Sequence, residues 1–486
     1  MLSHREGKPM KEFKDMIDRE SSSPIYQQIK EIIRRKIEDG EFKPGQRIPT
    51  EYELCDMYAV SRAPVRQALG ELVNEGLLNR QQGSGTFVNQ KIGQSTTQVR
   101  VIVPEDLWIP PLRRAVKDCT DEQGDRKISL NVQAVGRPQL HKEILRAVGR
   151  GEAPDLALID WAWVREFADL HFLKRLDIID PEWASSFKAD LFPAFADRTT
   201  PVLYGAQPEA NVSVLWYRKD WFEKEGQVPP RTWEDLVRVA RHFQKHIEFP
   251  LVFTAGRKAK ETTTYQMLPF IWSAGGRLFD GDVELDGGVV TALQFIVDLV
   301  HKYRVASPDV VKFEWDRPAR LFATGNAALA VGGSYEKPLI QEVAGWNESD
   351  FRARVGCIPT PAGPDGAPAS VAGGMVYVIF RQTRVAPVAL AVLKSVVSPD
   401  LMRRFCVETG RSPTRISVTQ TLDEKNGWFS RRVSELIRDA RPRWDIPEYA
   451  RVSAQIQLMI ETAVARRATP QEAVEKTRDV LRAILS

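Results

Sequence analysis

Arg62 and Arg66 stand four residues apart in VSRAPVRQAL, with Pro64 between them. On a helix that spacing puts both guanidinium groups on one face, a turn apart. A guanidinium is a rigid fork of N–H donors that matches a carboxylate, a phosphate or the O6/N7 edge of a guanine. A solvated helix face also accommodates two arginines, so the pair alone leaves both readings open. Ser61 ahead of the pair is a capping residue type. Pro64 falls in the first turn, where backbone N–H groups have no intrahelical partner to lose. Val65, Ala68, Leu69, Leu72 and Val73 form an apolar stripe at helical spacing on another face.

Other groupings offer less chemistry. His242 and His246 have the i,i+4 spacing of a metal pair, but no HExxH glutamate lies between them and no third ligand is evident, so no metal site is expected. GRKAKET lacks Walker A spacing, GGSYE lacks the last glycine of a GxSxG elbow, and no carboxylate pair is placed by spacing. No catalytic residues, cofactor or enzymatic activity are expected. RRKIED reads as a solvated face, with Arg34, Arg35 and Lys36 within reach of phosphate.

The elements that would position Arg62 and Arg66 follow from periodicity. Ile25, Ile29, Ile32, Ile33 and Ile37 make one face of a first helix, with Ser23 as a cap, Pro24 at its first position and Gly40 at its end. Thr50-x-x-Glu53 is a capping box opening a second helix, whose apolar side is Leu54, Met57 and Tyr58. The third helix starts at Ser61 and ends at Gly76, and LLNRQ and TFV read as a hairpin joined by QGSG. Residues 1–90 hold 14 Lys+Arg against 14 Asp+Glu, so positive charge is placed there rather than abundant.

This segment resembles the GntR-type winged helix-turn-helix from end to end. It matches in P-x-Y-x-Q-I, G-x-F-x-P-G-x-x-I-P-T-E, V-S-R-x-x-V-R-x-A-L and Q-G-x-G-T-F-V. The resemblance implies double-stranded operator DNA as partner and a homodimer. It also implies a DNA-facing set of Ser61, Arg62, Ala63, Arg66 and Gln67, with Gly83, Ser84, Gly85 and Thr86 in the wing. Ala63-Pro64 and Tyr52 depart from the family pattern, which often has a threonine and an arginine there.

At 486 residues and 43% hydrophobic, the chain is too long for one core and has globular composition. No apolar run nears the ~18 residues that span a bilayer. The opening MLSHREGKPMKEFKDMIDRE has neither h-region nor cleavage site, so the expected location is cytoplasmic, without membrane contact. Cys55, Cys119, Cys357 and Cys406 show no CxxC spacing and read as reduced thiols. The expected organisation is a tail (1–20), the winged module (21–90), a polar linker KIGQSTTQ (91–98) and a body (99–486) of alternating helices and strands.

The body looks like the type 1 extracellular solute-binding proteins, the maltose-binding-like receptors. VRVIVP, GEAPDLALIDWAWVREFADLHFLKRLD, SVLWYRKDWFEKEGQVPPRTWEDLVRVA, SAGGRLFD, LFATGNAALAVGGSYE, VGCIPTPAGPDGAPASVAGGMVYVIF and ARRATPQEAVEKTRDVLRAIL come in family order. Arg218 replaces the usual asparagine of Y-N-K-D, and Ala206-Gln207 interrupts Y-G-L-P. The implied fold class is α/β multidomain: a winged helix-turn-helix plus a two-lobed, periplasmic-binding-protein-like α/β domain. Its cleft would take a small-molecule effector, a carbohydrate, through Trp108, Asp160, Trp161, Glu209, Asn211, Trp272, Tyr335 and Gly374. Core packing explains any one of these aromatics as readily. Together the resemblances imply a ligand-responsive transcription regulator, with the sugar receptor of an ABC importer as the alternative.

Overall fold

The computed structural model describes residues 17–19, 23–81, 84–89, 96–123, 127–196, 202–279, 282–422 and 424–486. The 1–20 tail and the 91–98 linker fall mostly outside these residues, as does Gly83. The chain divides into two compact units, Met1–Thr97 with Thr120–Ser129, and Gln98–Cys119 with Leu130–Ser486.

In the first unit the isoleucine stripe makes α1 (Ile25–Glu38), which buries Ile29, Ile32, Ile33 and Ile37 against Val65, Ala68, Leu69 and Leu72 of α3 (Arg62–Asn74). Ion pairs reinforce that contact: Lys30 reaches Glu71 at 2.6 Å and Glu75 at 2.8 Å, and Arg34 also meets Glu75. Arg34 is therefore committed to α3, and Lys36 to Glu41 at 2.9 Å. Between them lies α2 (Glu51–Tyr58), opened by the capping box: the Glu53 N–H donates to Thr50 Oγ1 at 3.3 Å, and the Thr50 N–H to Glu53 Oε2 at 2.6 Å. Strands β1 (Leu78–Gln81) and β2 (Gly85–Val88) pair antiparallel as a wing.

Two local expectations are corrected. Pro24 is the N-cap of α1, not its first residue, because its carbonyl accepts the first i→i+4 bond, from the Gln28 N–H at 3.2 Å. Met57 is 58% exposed: the short α2 turns Leu54 and Tyr58 inward and leaves Met57 on its flank. Residues 17–19 also join this unit, with Ile17 on the core and Arg19 Nη2 donating to the Ala59 carbonyl at 2.6 Å.

The body has two lobes, each built on a sheet. The first has strand order β4-β3-β5-β12-β6, where β3 is Thr97–Val103, β4 Ile128–Ala134, β5 Leu156–Asp160, β6 Gly205–Ala206 and β12 Met375–Ile379. The second has the order β13-β11-β7-β9-β8, with β10 also on β7. Here β7 is Asn211–Arg218, β8 Leu251–Val252, β9 Leu329–Gly333, β10 Val355–Ile358, β11 Val371–Gly373 and β13 Arg441–Pro442. Their central strands are almost continuously buried, as sheets covered on both faces require. Arg218, the departure from Y-N-K-D, ends β7 buried, paired to Asp220 at 2.6 Å and lying 4.1 Å over the Trp221 ring.

The chain passes from the first lobe to the second between β6 and β7, returns between β11 and β12, and crosses once more between β12 and β13. The return is one residue long, Gly374. A Cβ there would stand 2.7 Å from the Glu209 carbonyl oxygen, so only glycine lets the two passes touch.

GGSYE has a similar steric origin. A Cβ on Gly332 would lie inside the Glu336 carboxyl group, which is buried and accepts from the Trp216 indole N–H at 3.0 Å and the Gly333 N–H at 3.1 Å. Burial raises the Glu336 carboxyl to about 8 from an ordinary 4.5. Between those values the folded chain holds a proton that the unfolded chain releases, so this group lowers stability as pH rises through that window. Glu336→Gln removes the titration while keeping an acceptor for Trp216. Urea unfolding at pH 5.5 and pH 8 is expected to show a shallower loss of stability with rising pH in E336Q than in the parent, and equal losses would refute the assignment.

Candidate functional site

The winged unit presents one candidate surface. Ser61 is the N-cap of α3 by backbone geometry, without a side-chain cap bond. Arg62, Ala63, Arg66 and Gln67 are exposed, while Val65, Ala68 and Leu69 are buried beneath them. In the wing, Ser84 is exposed, Thr86 is half-buried, and Gly85 has φ +121° beside the Arg47 side chain. Arg62 is not a free arm. Its Nε donates to Glu51 Oε2 at 2.9 Å and its Nη1 to the Tyr52 hydroxyl at 3.2 Å, with the guanidinium 4.8 Å over the Tyr52 ring. Arg66 makes no hydrogen bond or ion pair among the described residues.

The second candidate site lies where the two lobes of the body meet. A cavity of about 720 Å³ is lined from the first lobe by Glu105, Arg137 and Arg411, and from the second by Trp315, Tyr335 and Lys337. Arg137 pairs with Glu105 at 2.5 Å and lies 5.8 Å over the Tyr335 ring across the cleft. Burial pushes the Glu105 carboxyl up, but the Arg137 charge outweighs it and holds the group below its ordinary range. Glu209 is fully buried at the crossing, accepts from the Met375 N–H at 3.3 Å, and is 3.5 Å from Arg411 Nη1. Burial raises its carboxyl against the pull of Arg411 and Arg137. Glu209 Oε2 and Arg411 Nε and Nη1 are buried and have no hydrogen-bond partner.

A clasp closes the neighbouring part of the cleft. Arg443, just after β13, donates to Asp160 Oδ1 at the end of β5 and to Glu261 Oε1 at the start of the helix Glu261–Ser273, each at 2.7 Å. Tyr449 and Ser453 hydroxyls also donate to Glu261, both at 2.6 Å. Burial raises the Glu261 carboxyl while the Arg443 charge opposes it.

The eight residues expected at the cleft therefore separate. Asn211 is buried beside Glu209 and accepts from the Tyr265 hydroxyl at 2.9 Å. Gly374 touches Glu209, and its carbonyl accepts from the Trp161 N–H at 3.2 Å, which brings Asp160 and Trp161 to the same crossing. Trp161 is half-buried, 5.7 Å from Phe195, and lines a second cavity of about 560 Å³ with Arg443 and Trp444. Tyr335 is half-buried, 6.0 Å from Tyr265. Trp108 has no exposed surface; it packs 4.8 Å from Phe405 and donates to Glu105 at 3.2 Å, so it backs the cleft wall. Trp272 is buried against Trp444 at 6.2 Å. Glu105, Arg137, Glu261, Arg411 and Arg443 were not singled out from sequence, where nothing marks a charged residue as buried. His242 and His246 both turn toward Glu225, at 3.3 and 3.8 Å, and no group of three metal-ligating side chains is placed to hold an ion among the described residues.

A two-lobed body with its cleft at the strand crossings is the architecture of solute-binding receptors. The model for "Bacterial extracellular solute-binding protein" matches residues 111–402, more than half of the chain, and the chain belongs to that family. The model for "Bacterial regulatory proteins, gntR family" matches residues 25–88. Among solved structures, the body is similar to maltose-bound MalE3 of T. maritima, at 24% identity and a TM-score of 0.70, over 80% of this chain and 100% of that one. Among curated proteins, the winged unit is similar to two from Bacillus subtilis (strain 168). The uncharacterized HTH-type transcriptional regulator YurK is 52% identical over 73 residues, which are 15% of this chain and 30% of that protein. The HTH-type transcriptional repressor NagR is 42% identical over 91 residues, 19% of this chain and 37% of that protein. The chain thus spans about a third of the length of these curated relatives. No helix among the described residues is long and apolar enough to cross a membrane.

Removing one partner of a buried ion pair typically costs about 3–5 kcal/mol, because it strands the other charge. Arg443→Ala leaves Asp160 and Glu261 without their shared cation, so it is expected to lower unfolding free energy in urea by about that much. A loss below about 1 kcal/mol would mean the clasp holds nothing.

Proposed function

We propose that this chain is a ligand-responsive, DNA-binding transcription regulator of the cytoplasm. The winged unit reads a duplex operator as a homodimer, and the body binds a carbohydrate effector without turning it over. The observation that carries the DNA half is the exposed Arg62 and Arg66 face at the start of α3, in a unit that matches the gntR model. A dimer on such DNA sets its two recognition helices ~34 Å apart or a multiple of that.

The cavity wall supports the effector class. Arg411 lines it with an Nε that has no hydrogen-bond partner, so a ligand hydroxyl there meets a charged donor. Its other side is held by the buried Glu209, 3.5 Å from Nη1. A ligand carboxylate would meet Arg411 but would also face Glu209. The half-buried Tyr335 and Trp315 supply rings beside these polar groups, as the apolar face of a sugar requires. The family of the body also favours a second reading, an importer's receptor, which gives the arginines of α3 no role.

Two measurements test the reading. In gel-shift titrations against duplexes selected from a random pool, Arg62→Ala is expected to weaken binding at least tenfold, as loss of a specific base contact does, and Arg66→Ala to weaken it through loss of a phosphate contact. Unchanged binding in both overturns the DNA half. In a thermal-shift screen of mono- and oligosaccharides, a binder raises the melting temperature by mass action, and Arg411→Ala abolishes that rise. Stabilisation by an unrelated metabolite, with no carbohydrate active, overturns the effector class.

A further inference from the structure

We propose that Glu51 is a positioning residue for sequence readout, orienting Arg62 through a carboxylate that also gathers the wing; this inference rests on the DNA-binding reading. Glu51 is the first residue of α2, where a carboxylate suits the helix N-terminus. Its Oε2 accepts from Arg62 Nε at 2.9 Å, and its Oε1 lies 3.5 Å from Arg80 Nη2. Arg80 belongs to β1 and stands opposite Thr86 of the wing. One side chain therefore ties the starts of α2 and α3 to the wing.

The clamp on Arg62 has three points. Nε is held by Glu51, Nη1 by the Tyr52 hydroxyl, and the flat of the guanidinium by the Tyr52 ring. Nη2 and the second Nη1 hydrogen stay unbonded among the described residues, and they form the outer end of the fork. Arg62 nonetheless keeps 54% of its side chain exposed while Glu51 keeps 20%. An exposed ion pair of this kind adds little to stability. Its effect is on the arginine's freedom: a long side chain fixed before binding loses less entropy on reaching a base edge. Arg66 has no such clamp, so it can follow a phosphate but does not arrive aimed. The two arginines thereby divide the work, Arg62 discriminating between sequences and Arg66 adding affinity to all of them.

The test uses the full chain and a duplex selected by it from a random pool, with a scrambled duplex of equal length as reference. Glu51→Gln is expected to lower the ratio of selected to scrambled affinity roughly tenfold, within the range of one bidentate base contact. Affinity for scrambled DNA should hold or rise, since a negative charge has been removed. Tyr52→Phe, which deletes only the hydroxyl, should lower the same ratio by a smaller factor. Arg66→Ala should weaken both duplexes alike and reduce the salt slope by about one. In an Arg62→Ala background, Glu51→Gln should change the ratio no further, because its effect passes through Arg62. A ratio within twofold of the parent in E51Q, a parallel loss on both duplexes, or an added loss in the R62A background would each overturn the proposal. Failure of the unmutated chain to select any sequence would instead overturn the DNA-binding reading beneath it.

Discussion

The body depends on one steric constraint, the contact at Gly374 between two of its three interlobe passes. Strand β11 is bonded to β7 in one lobe, and one residue later β12 is bonded to β5 and β6 in the other. The chain can change sheets that abruptly only because its backbone runs against the Glu209 carbonyl, a distance no side chain would allow. Several polar groups gather around that contact: Glu209 accepts from the Met375 N–H, Asn211 flanks it, and Arg411 faces it.

Charge is handled in opposite ways in the two units. On the winged unit, arginines and carboxylates pair near the surface, where water screens them and each pair adds little to stability. In the cleft, Arg443, Arg411 and Glu209 are buried and Asp160 and Glu261 half-buried, and each depends on a particular opposite number. Buried pairs of this kind contribute specificity of geometry more than net stability, since desolvation consumes much of the attraction.

Legibility from sequence followed the range of the interactions. The winged unit is readable almost residue by residue because its signals are local: an isoleucine stripe, a capping box four residues long, glycines after each long helix. Its departures from the pattern are local too: Pro24 caps α1 instead of opening it, and Met57 lies outside because a two-turn helix has room for only two inward residues. In the body, strands and lobes could be placed, but hydrophobicity does not tell a tryptophan that lines a cleft from one that backs it. Trp161 borders a cavity and Trp108 is sealed behind Glu105, yet both follow an apolar strand. The Arg443 clasp was out of reach, because its partners are 182 and 283 residues away in the chain.

The position of β12 has a further consequence, for synthesis. It is an interior strand of the first lobe's sheet, wedged between β5 and β6, yet it emerges from the ribosome only after almost the whole second lobe's sheet has been translated. At about 5–20 residues per second, the first lobe waits on the order of tens of seconds with the β5 edge unpaired. The winged unit, made of contacts close in sequence, is complete well before then. A nascent chain therefore holds a finished winged unit while the first lobe of its body still lacks an interior strand.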